Sequence, residues 1–443
     1  MPTQYQISGA SANAIVASVE AGIQSGRLAA GQRVPTIRDL AGDLGVSPGT
    51  VASAYRLLAS RGLISTRGRA GTHVSFHPPV AVSGPAVLPS IPRGVRDLAG
   101  GNPDPRLLPS LEEALRRVDP AQRLYDARPD LPELHDIARR HLAADGVPAE
   151  RITTVSGALD GVERALQAHL RPGDRVALED PAYVAMLDLV RALGLDIQPV
   201  RVDDAGPIPA DLESACRAGA RAVVVTPRAQ SPFGSALDEP RAAALAAVLR
   251  SHPDVLLIED DHAGPVAGAA LATLTRRHGG PWAHVRSVSK FLGPDLRLAV
   301  VAGDETTIAR VEGRRMAGPG WVSRILQQLV VRLWSGRRID RVFRTAEATY
   351  TARRRALVDA LGERGITGHG RSGLNVWIPV AEEVRTVQLL LEAGWAVQAG
   401  EPFRLRTPPA IRVTISTLEP AEGRRLAADL ASILSRSARP RRG

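Results

Sequence analysis

Hydrophobic positions in the first 75 residues recur with the period of a helix. Ala12, Ile15, Val16, Val19 and Ile23 share one face, and Gly26 follows as a stop. Thr36 can cap a second helix, with Asp39 three residues on, Ile37, Leu40 and Leu44 facing inward, and Gly45 at its end. Ser47 caps a third, Pro48 takes its first position, and Val51, Ala54, Tyr55 and Leu58 carry the apolar face until Gly62. Two short helices joined by a tight Gly-Val-Ser turn predict a helix-turn-helix. Residues 63–74 then alternate about a Gly-containing turn, which predicts a two-stranded wing.

The pattern changes at residue 77. Residues 77–96 carry prolines at 78, 79, 85, 89 and 92 and read as a linker. Extended as polyproline, it spans up to roughly 60 Å. From residue 97 helical segments alternate with short apolar strands at 175–178, 222–225, 255–258 and 297–301. That is an α/β pattern. The expected organisation is a winged helix-turn-helix over 1–76, a Pro-rich linker over 77–96, and an α/β domain over 97–443.

Composition narrows the chemistry. A chain of 443 residues with 44% apolar content can bury a large core, and its single cysteine, Cys216, excludes a disulfide scaffold. Residues 1–8 lack the basic start and apolar run of a signal peptide, and no stretch approaches the ~18 apolar residues of a membrane span, so a soluble cytoplasmic protein is expected. The net charge of +10 favours polyanionic partners. Residues 1–75 hold seven Arg against Glu20, Asp39 and Asp43, which draws that unit to phosphate. Ser47, Gly49 and Thr50 are small enough to enter a groove, while Arg38, Arg67 and Arg69 lie where phosphate or groove contacts are expected.

The basic total hides a second signal. Of 56 basic residues, 55 are Arg and one is Lys, at position 290. A guanidinium supplies charge wherever charge is wanted, but only an amine can lose its proton and form an imine. One Lys can also survive by chance, so its neighbourhood has to decide. Ser287 and Ser289 can donate to an anionic cofactor and Arg297 can fork onto phosphate oxygens. The acidic run Glu259-Asp260-Asp261 closes an apolar strand, where one carboxylate could meet a protonated ring nitrogen. Ser156-Gly157-Ala158-Leu159 leads into a helical pattern whose N-terminus suits phosphate. No residue here is read as a metal ligand.

Order and spacing carry these features further. The run GRLAAGQRVPTIRDLAGDLGVSPGTVASAYRLLASRGLI at 26–64, closed by GRAGTHV, resembles the winged helix-turn-helix of the GntR family of transcriptional regulators. In that family the Arg of P-x-x-R, the start of the recognition helix and the wing contact DNA, which carries onto Arg38, Ser47, Thr50, Arg67 and Arg69. Residues 97–443 resemble fold-type I aminotransferases in GNPDPRLLP, LYDARPDLPEL, SGALD, EDPAY, TPRAQSPFG, IEDDH, SVSKFLGPDLR and IRVTIS. The fusion resembles the MocR subfamily, regulators that depend on pyridoxal 5'-phosphate and dimerise head to tail.

The resemblance implies roles residue by residue. Lys290 would hold the internal aldimine, Asp260 the pyridine nitrogen, and Tyr183 would stack on the ring. Ser287, Ser289, Arg297 and the backbone at Gly157, Ala158 and Leu159 would bind phosphate, with Tyr125 contributing from the other subunit. Arg412 would take an effector or substrate carboxylate. His262, Ser231 and Phe233 stand where relatives often have Tyr, Asn and Thr, so the partners of the cofactor's phenolic oxygen differ, and His262 is expected to titrate near neutral pH. Implied partners are double-stranded DNA with repeated half-sites, a second copy of the chain, and an amino-acid-like or vitamin B6 effector, with no membrane. Two functions remain open: a regulator that senses through Lys290, or a working aminotransferase with an accessory DNA-binding domain.

Overall fold

Capping chemistry sets the first three helices. Helix α1 (Ala12–Gln24) starts at Ser11, whose side chain accepts from the N–H of Ala14. Helix α2 (Ile37–Leu44) starts at Thr36, which accepts from the N–H of Asp39, and ends at Gly45 in the left-handed region at φ 64°. Helix α3 (Pro48–Ser60) follows Ser47, whose Oγ accepts from Thr50 N at 3.1 Å. Strands β1 (Ile64–Thr66) and β2 (Thr72–Val74) pair antiparallel as the expected wing. The computed structural model describes residues 5–25, 27–29, 31–60, 63–66, 71–74, 91–121, 124–125 and 128–437, and the chain divides into two compact units.

The first unit closes around Ile15, Val16, Val19, Leu40, Val51, Ala54, Leu58, Ile64 and Val74, all buried. The Tyr55 ring joins this core while its hydroxyl donates to Pro35 O at 2.8 Å. Ile37 departs from its expected inward position. It opens α2 and remains 37% exposed. The linker expected over 77–96 is described only from residue 91, and its last residue, Arg96, already belongs to a strand.

The second unit is built on an eight-stranded sheet. After β3 (Arg96–Asp97) come β4 (Ile152–Val155), β5 (Arg175–Asp180), β6 (Asp196–Asp203), β7 (Gly206–Pro207), β8 (Ala220–Val225), β9 (Leu256–Asp261), β10 (Trp282–Ser287) and β11 (Ala299–Gly303). Their spatial order is β4-β11-β10-β9-β8-β5-β6-β7. The pairs β5/β8, β8/β9 and β9/β10 are parallel, whereas β11 runs antiparallel to both β10 and β4. A smaller sheet orders β12 (Asn375–Pro379), β15 (Ala410–Thr414) and β14 (Gln398–Ala399), and β13 (Trp395–Ala396) pairs in parallel with β3.

All four expected strands shift at one end or both, to 175–180, 220–225, 256–261 and 299–303, and two of these shifts bear on the site. Strand β9 continues through Glu259, Asp260 and Asp261 rather than stopping before them, because β10 sets His284 and Arg286 opposite the first and third. Arg297 does not start a strand. It sits at φ 42°, in the left-handed region, between a short turn over Pro294–Leu296 and β11.

The helix Ala158–His169 fixes the edge that matters for function. It lies so close to the sheet that a Cβ on Gly161 would meet Val285 Cγ1 at 2.9 Å, Val301 Cγ2 at 3.1 Å and Val155 Cγ2 at 3.2 Å. All three valines are fully buried. Overpacking this contact by Gly161→Val is expected to cost about 1–3 kcal/mol, read as a lower urea midpoint at unchanged slope.

Candidate functional site

Register brings three phosphate-class donors to one edge of the sheet. Val155, Ala299 and Ser287 are neighbours across β4, β11 and β10, so the residues just beyond them converge. Gly157 has φ 102° and a Cβ there would stand 3.2 Å from Arg297 Nη2, so the bare backbone admits the guanidinium beside the helix N-terminus at Ala158 and Leu159. Ser287 Oγ donates to Ser289 Oγ at 3.1 Å and accepts from Ser289 N at 3.2 Å. The Arg297 side chain is exposed and makes no hydrogen bond or ion pair among the described residues. A helix N-terminus, two hydroxyls and an unpaired guanidinium can together hold a dianion.

Strand alternation separates the three acids of β9. Glu259 and Asp261 point to one face. There Asp261 receives Arg228 at 2.9 and 3.0 Å and Arg286 at 2.8 Å, Asp145 lies 2.7 Å from Arg286, and His284 Nδ1 pairs with Glu259 at 2.8 Å. Burial opposes ionisation of Asp261, yet the charges of Arg228 and Arg286 hold its carboxyl well below the ordinary range. Asp260 faces the other way, is 6% exposed, and its Oδ1 has no hydrogen-bond partner among the described residues. Burial, and then the Asp261 charge, push it up to about 7.

Lys290 and Arg412 complete the cluster. Lys290 Nζ donates to Gly101 O at 2.8 Å, and burial followed by the Arg412 charge lowers its pKa to about 8. Arg412 is buried on β15, donates to Ala99 O, and lies 4.7 Å over the Phe403 ring. Burial brings its pKa down to about 10. Burial raises the pKa of the half-exposed Tyr183, and the charges of Arg412 and Arg297 work against that rise. His262 differs from expectation: burial and then the Lys290 charge push its pKa down to about 4, so it is a neutral imidazole at neutral pH. Ser231 lies 3.5 Å from Asn375 Nδ2, and Phe233 stacks on His369 at 4.4 Å.

Tyr125 is the expected cofactor residue that stands apart. It is 90% exposed, with its ring edge-on to Trp321 at 5.6 Å. In the first unit Arg38 is exposed on α2, while Ser47 and Thr50 bond each other at 2.9 Å at the start of α3. Arg67 and Arg69 lie outside the described residues.

Comparison with known proteins gives this arrangement a family. The model of bacterial regulatory proteins, gntR family, matches residues 11–74, and that of aminotransferase class I and II matches residues 103–430. The vitamin B6 salvage pathway transcriptional repressor PtsJ of Salmonella typhimurium is 40% identical over 97% of this chain and 100% of its own. The chain belongs to the MocR type of GntR-family transcriptional regulators. The regulator TauR of Rhodobacter capsulatus is similarly related, at 30% identity over 91% of this chain and 92% of its own. Pyrococcus horikoshii kynurenine aminotransferase, at 20% identity, shares the fold with a TM-score of 0.71, covering 78% of this chain and 92% of that one. This MocR-type chain therefore joins a DNA-binding winged helix to an aminotransferase-like domain.

Several groups of the MocR-type site carried no sequence signal. Asn375 supplies an amide beside Ser231 and accepts from Thr414 Oγ1 at 3.1 Å, although nothing in its local sequence marks it. The carbonyls of Ala99 and Gly101 are backbone atoms, visible only once the chain is folded.

The Asp260 carboxyl sets a pH dependence. Its pKa rises from 3.8 to about 7 on folding, so the folded state binds a proton that the unfolded chain has released between those values. That contribution is complete below pH ~4 and lost as pH rises through about 7. Without added cofactor, Asp260→Asn should match the parent near pH 4 and exceed it at pH 8 by up to about 4 kcal/mol in urea unfolding.

Proposed function

We propose that this regulator binds pyridoxal 5'-phosphate at Lys290 and uses the occupied site to sense a vitamin B6 compound or an amino-acid-like effector, changing how its winged helices hold DNA. The observation that carries the reading is Asp260. A carboxyl this buried normally has a partner, and a protonated pyridine nitrogen is a cation of the right kind for its orphaned Oδ1. The remaining residues fit the same group: Gly157 leaves room for Arg297, the helix N-terminus and serines suit its phosphate, and Tyr183 offers a ring face. When bound, the cofactor supplies an aldehyde that condenses with a primary amine and a ring that withdraws electrons from what is attached.

This chain's residues do the rest. Lys290, with its pKa lowered to about 8, keeps a usable fraction of free amine near neutral pH. His262 can donate one N–H hydrogen bond to the cofactor's phenolic oxygen without adding a charge. Arg412 can take a carboxylate bidentately in a dry setting. The name of the Salmonella relative, tied to vitamin B6 salvage, supports a B6 compound as one input. Leu111, Leu115, Leu124, Tyr125, Met316 and Ile325 are exposed, which supports a homodimer that covers them, with Tyr125 reaching the partner's site. Acting on DNA, the dimer would work in the cytoplasm.

Purified protein should be yellow, and borohydride should bleach the colour while fixing the cofactor covalently on Lys290. Lys290→Ala and Lys290→Arg should both lack the covalent adduct, and cofactor that stays attached through denaturation after reduction in either would contradict the assignment. On DNA, Arg38→Ala should weaken binding by about 1–3 kcal/mol if it reads a base edge, or lower the salt slope by about one if it touches phosphate. Unchanged affinity and slope in a salt titration would remove Arg38 from the interface.

A further inference from the structure

Register on the small sheet sets a second polar side chain beside Arg412. Strand β15 pairs antiparallel with β12, so that Trp377 stands opposite Arg412 and Asn375 opposite Thr414. Arg412 and Thr414 are two residues apart on one strand, so they share a face with Asn375, which is the diagonal neighbour of Arg412. These residues converge on Gly101. Its N–H donates to Thr414 Oγ1 at 3.2 Å, its carbonyl accepts from Lys290 Nζ at 2.8 Å, and a Cβ there would stand 3.6 Å from Arg412 Nη2. Asn375 is one hydrogen bond further on, its Oδ1 accepting from Thr414 Oγ1 at 3.1 Å. Arg412, Thr414 and Asn375 are all buried.

Hydrogen-bond direction fixes the amide. A backbone N–H only donates, so Thr414 Oγ1 accepts from Gly101, and its single hydrogen is left for the Asn375 oxygen, which only accepts. The Asn375 nitrogen is thereby turned toward Ser231 Oγ, at 3.5 Å, the long limit of a hydrogen bond. That gap is held open from below. Gly234, at φ 79°, lies so close to β12 that a Cβ would meet Asn375 O at 2.9 Å, and Ser372 N donates to Gly234 O at 2.8 Å. One N–H of the amide therefore has a weak partner, and the other has none among the described residues. Arg412 adds to this excess of donors. It is buried, its Nε has no hydrogen-bond partner, and it makes no ion pair among the described residues. A buried guanidinium without a counter-ion is costly, and an anion relieves it.

We propose that Asn375 is the second carboxylate-binding residue of this site: Arg412 supplies the charge, and the amide, oriented by Thr414, donates its free N–H to one of the carboxylate oxygens. The effector is then a primary amine with a carboxylate on the adjoining carbon, and amines without that group are rejected. A carboxylate has about four lone-pair sites, so it can take a guanidinium fork and an amide donor together. Being neutral, the amide adds discrimination without adding a second charge that would repel Arg412. Thr414 is the positioning residue, because it decides which end of the amide faces the ligand. The role rests on the reading above that places the cofactor at Lys290 and a carboxylate at Arg412.

Two stable probes isolate the carboxylate: N-(5'-phosphopyridoxyl)-L-alanine and N-(5'-phosphopyridoxyl)ethylamine, which differ only in that group. Their Kd values for the full chain freed of cofactor, measured by calorimetry, give a preference ratio for each variant. The parent should prefer the alanine adduct by about a hundredfold or more, the scale of a charged fork with a further donor. Asn375→Ala should cut that ratio about tenfold while binding the ethylamine adduct as the parent does. Asn375→Asp keeps the size and still accepts from Thr414 but replaces the donor with an acceptor, so its ratio should fall at least as far. Thr414→Val, which releases the amide, should lower the ratio about threefold or more, and Thr414→Ser should retain the parent's. An unchanged ratio in Asn375→Ala and Asn375→Asp, or equal weakening of both adducts, overturns the role of Asn375 alone. A ratio that Thr414→Ser loses as fully as Thr414→Val overturns the orienting hydroxyl. A parent that binds the two adducts equally overturns the Arg412 reading and this role with it, and a parent that binds neither overturns the cofactor site itself.

Discussion

Three consecutive carboxyls, Glu259, Asp260 and Asp261, lie inside a fully buried strand, and the sheet accommodates them only because the face carrying Glu259 and Asp261 is neutralised. Arg228, Arg286 and His284 surround those two, with Asp145 closing the network. The nearby Asp261 carboxylate and the hydrogen bond to Glu259 hold the His284 imidazole above its ordinary pKa even though burial works against its charge. Removing any one member would strand the others as uncompensated buried charges, which is far more costly than the pair is stabilising. With that face settled, Asp260 can point the other way without a protein partner. The carboxyl left over is the group around which the candidate site is assembled.

Function follows from what is left unfinished. Among the described residues Asp260 Oδ1 lacks a partner and Arg297 lacks an anion, while Lys290 and Arg412 donate to backbone carbonyls. A rigid sheet presents the first two, because β4, β10 and β11 fix the phosphate edge in register. Carbonyls of a glycine-containing segment accept from the last two, which stand on β15 and just beyond β10.

Local chemistry was legible in the sequence, and non-local chemistry was not. The caps at Thr36 and Ser47 and the stop at Gly45 work within a few residues, so they appear where the pattern put them. Lys290 stood out by residue type and Arg297 by its spacing from it, whereas only the resemblance to aminotransferases singled Asp260 out from its two acidic neighbours. Strand β10 reads Trp-Ala-His-Val-Arg-Ser, too polar for a buried strand until Glu259 and Asp261 of β9 are seen beside its His284 and Arg286. For the same reason β9 ran three residues past its apolar stretch. The neutral state of His262 depends on burial and on Lys290 across the fold, and the carbonyls that accept from Lys290 and Arg412 are backbone atoms that no residue name reveals.

The central claim is that chemistry at Lys290 governs a DNA-binding protein. Fluorescence anisotropy with a labelled fragment of the gene's own promoter measures it directly, comparing the parent and Lys290→Ala with and without pyridoxal 5'-phosphate at fixed salt. The account predicts that the cofactor changes the parent's Kd by about tenfold or more, about 1.4 kcal/mol of coupling, and leaves Lys290→Ala unmoved. Equal affinities for loaded and unloaded parent, or the same cofactor response in Lys290→Ala, would contradict it.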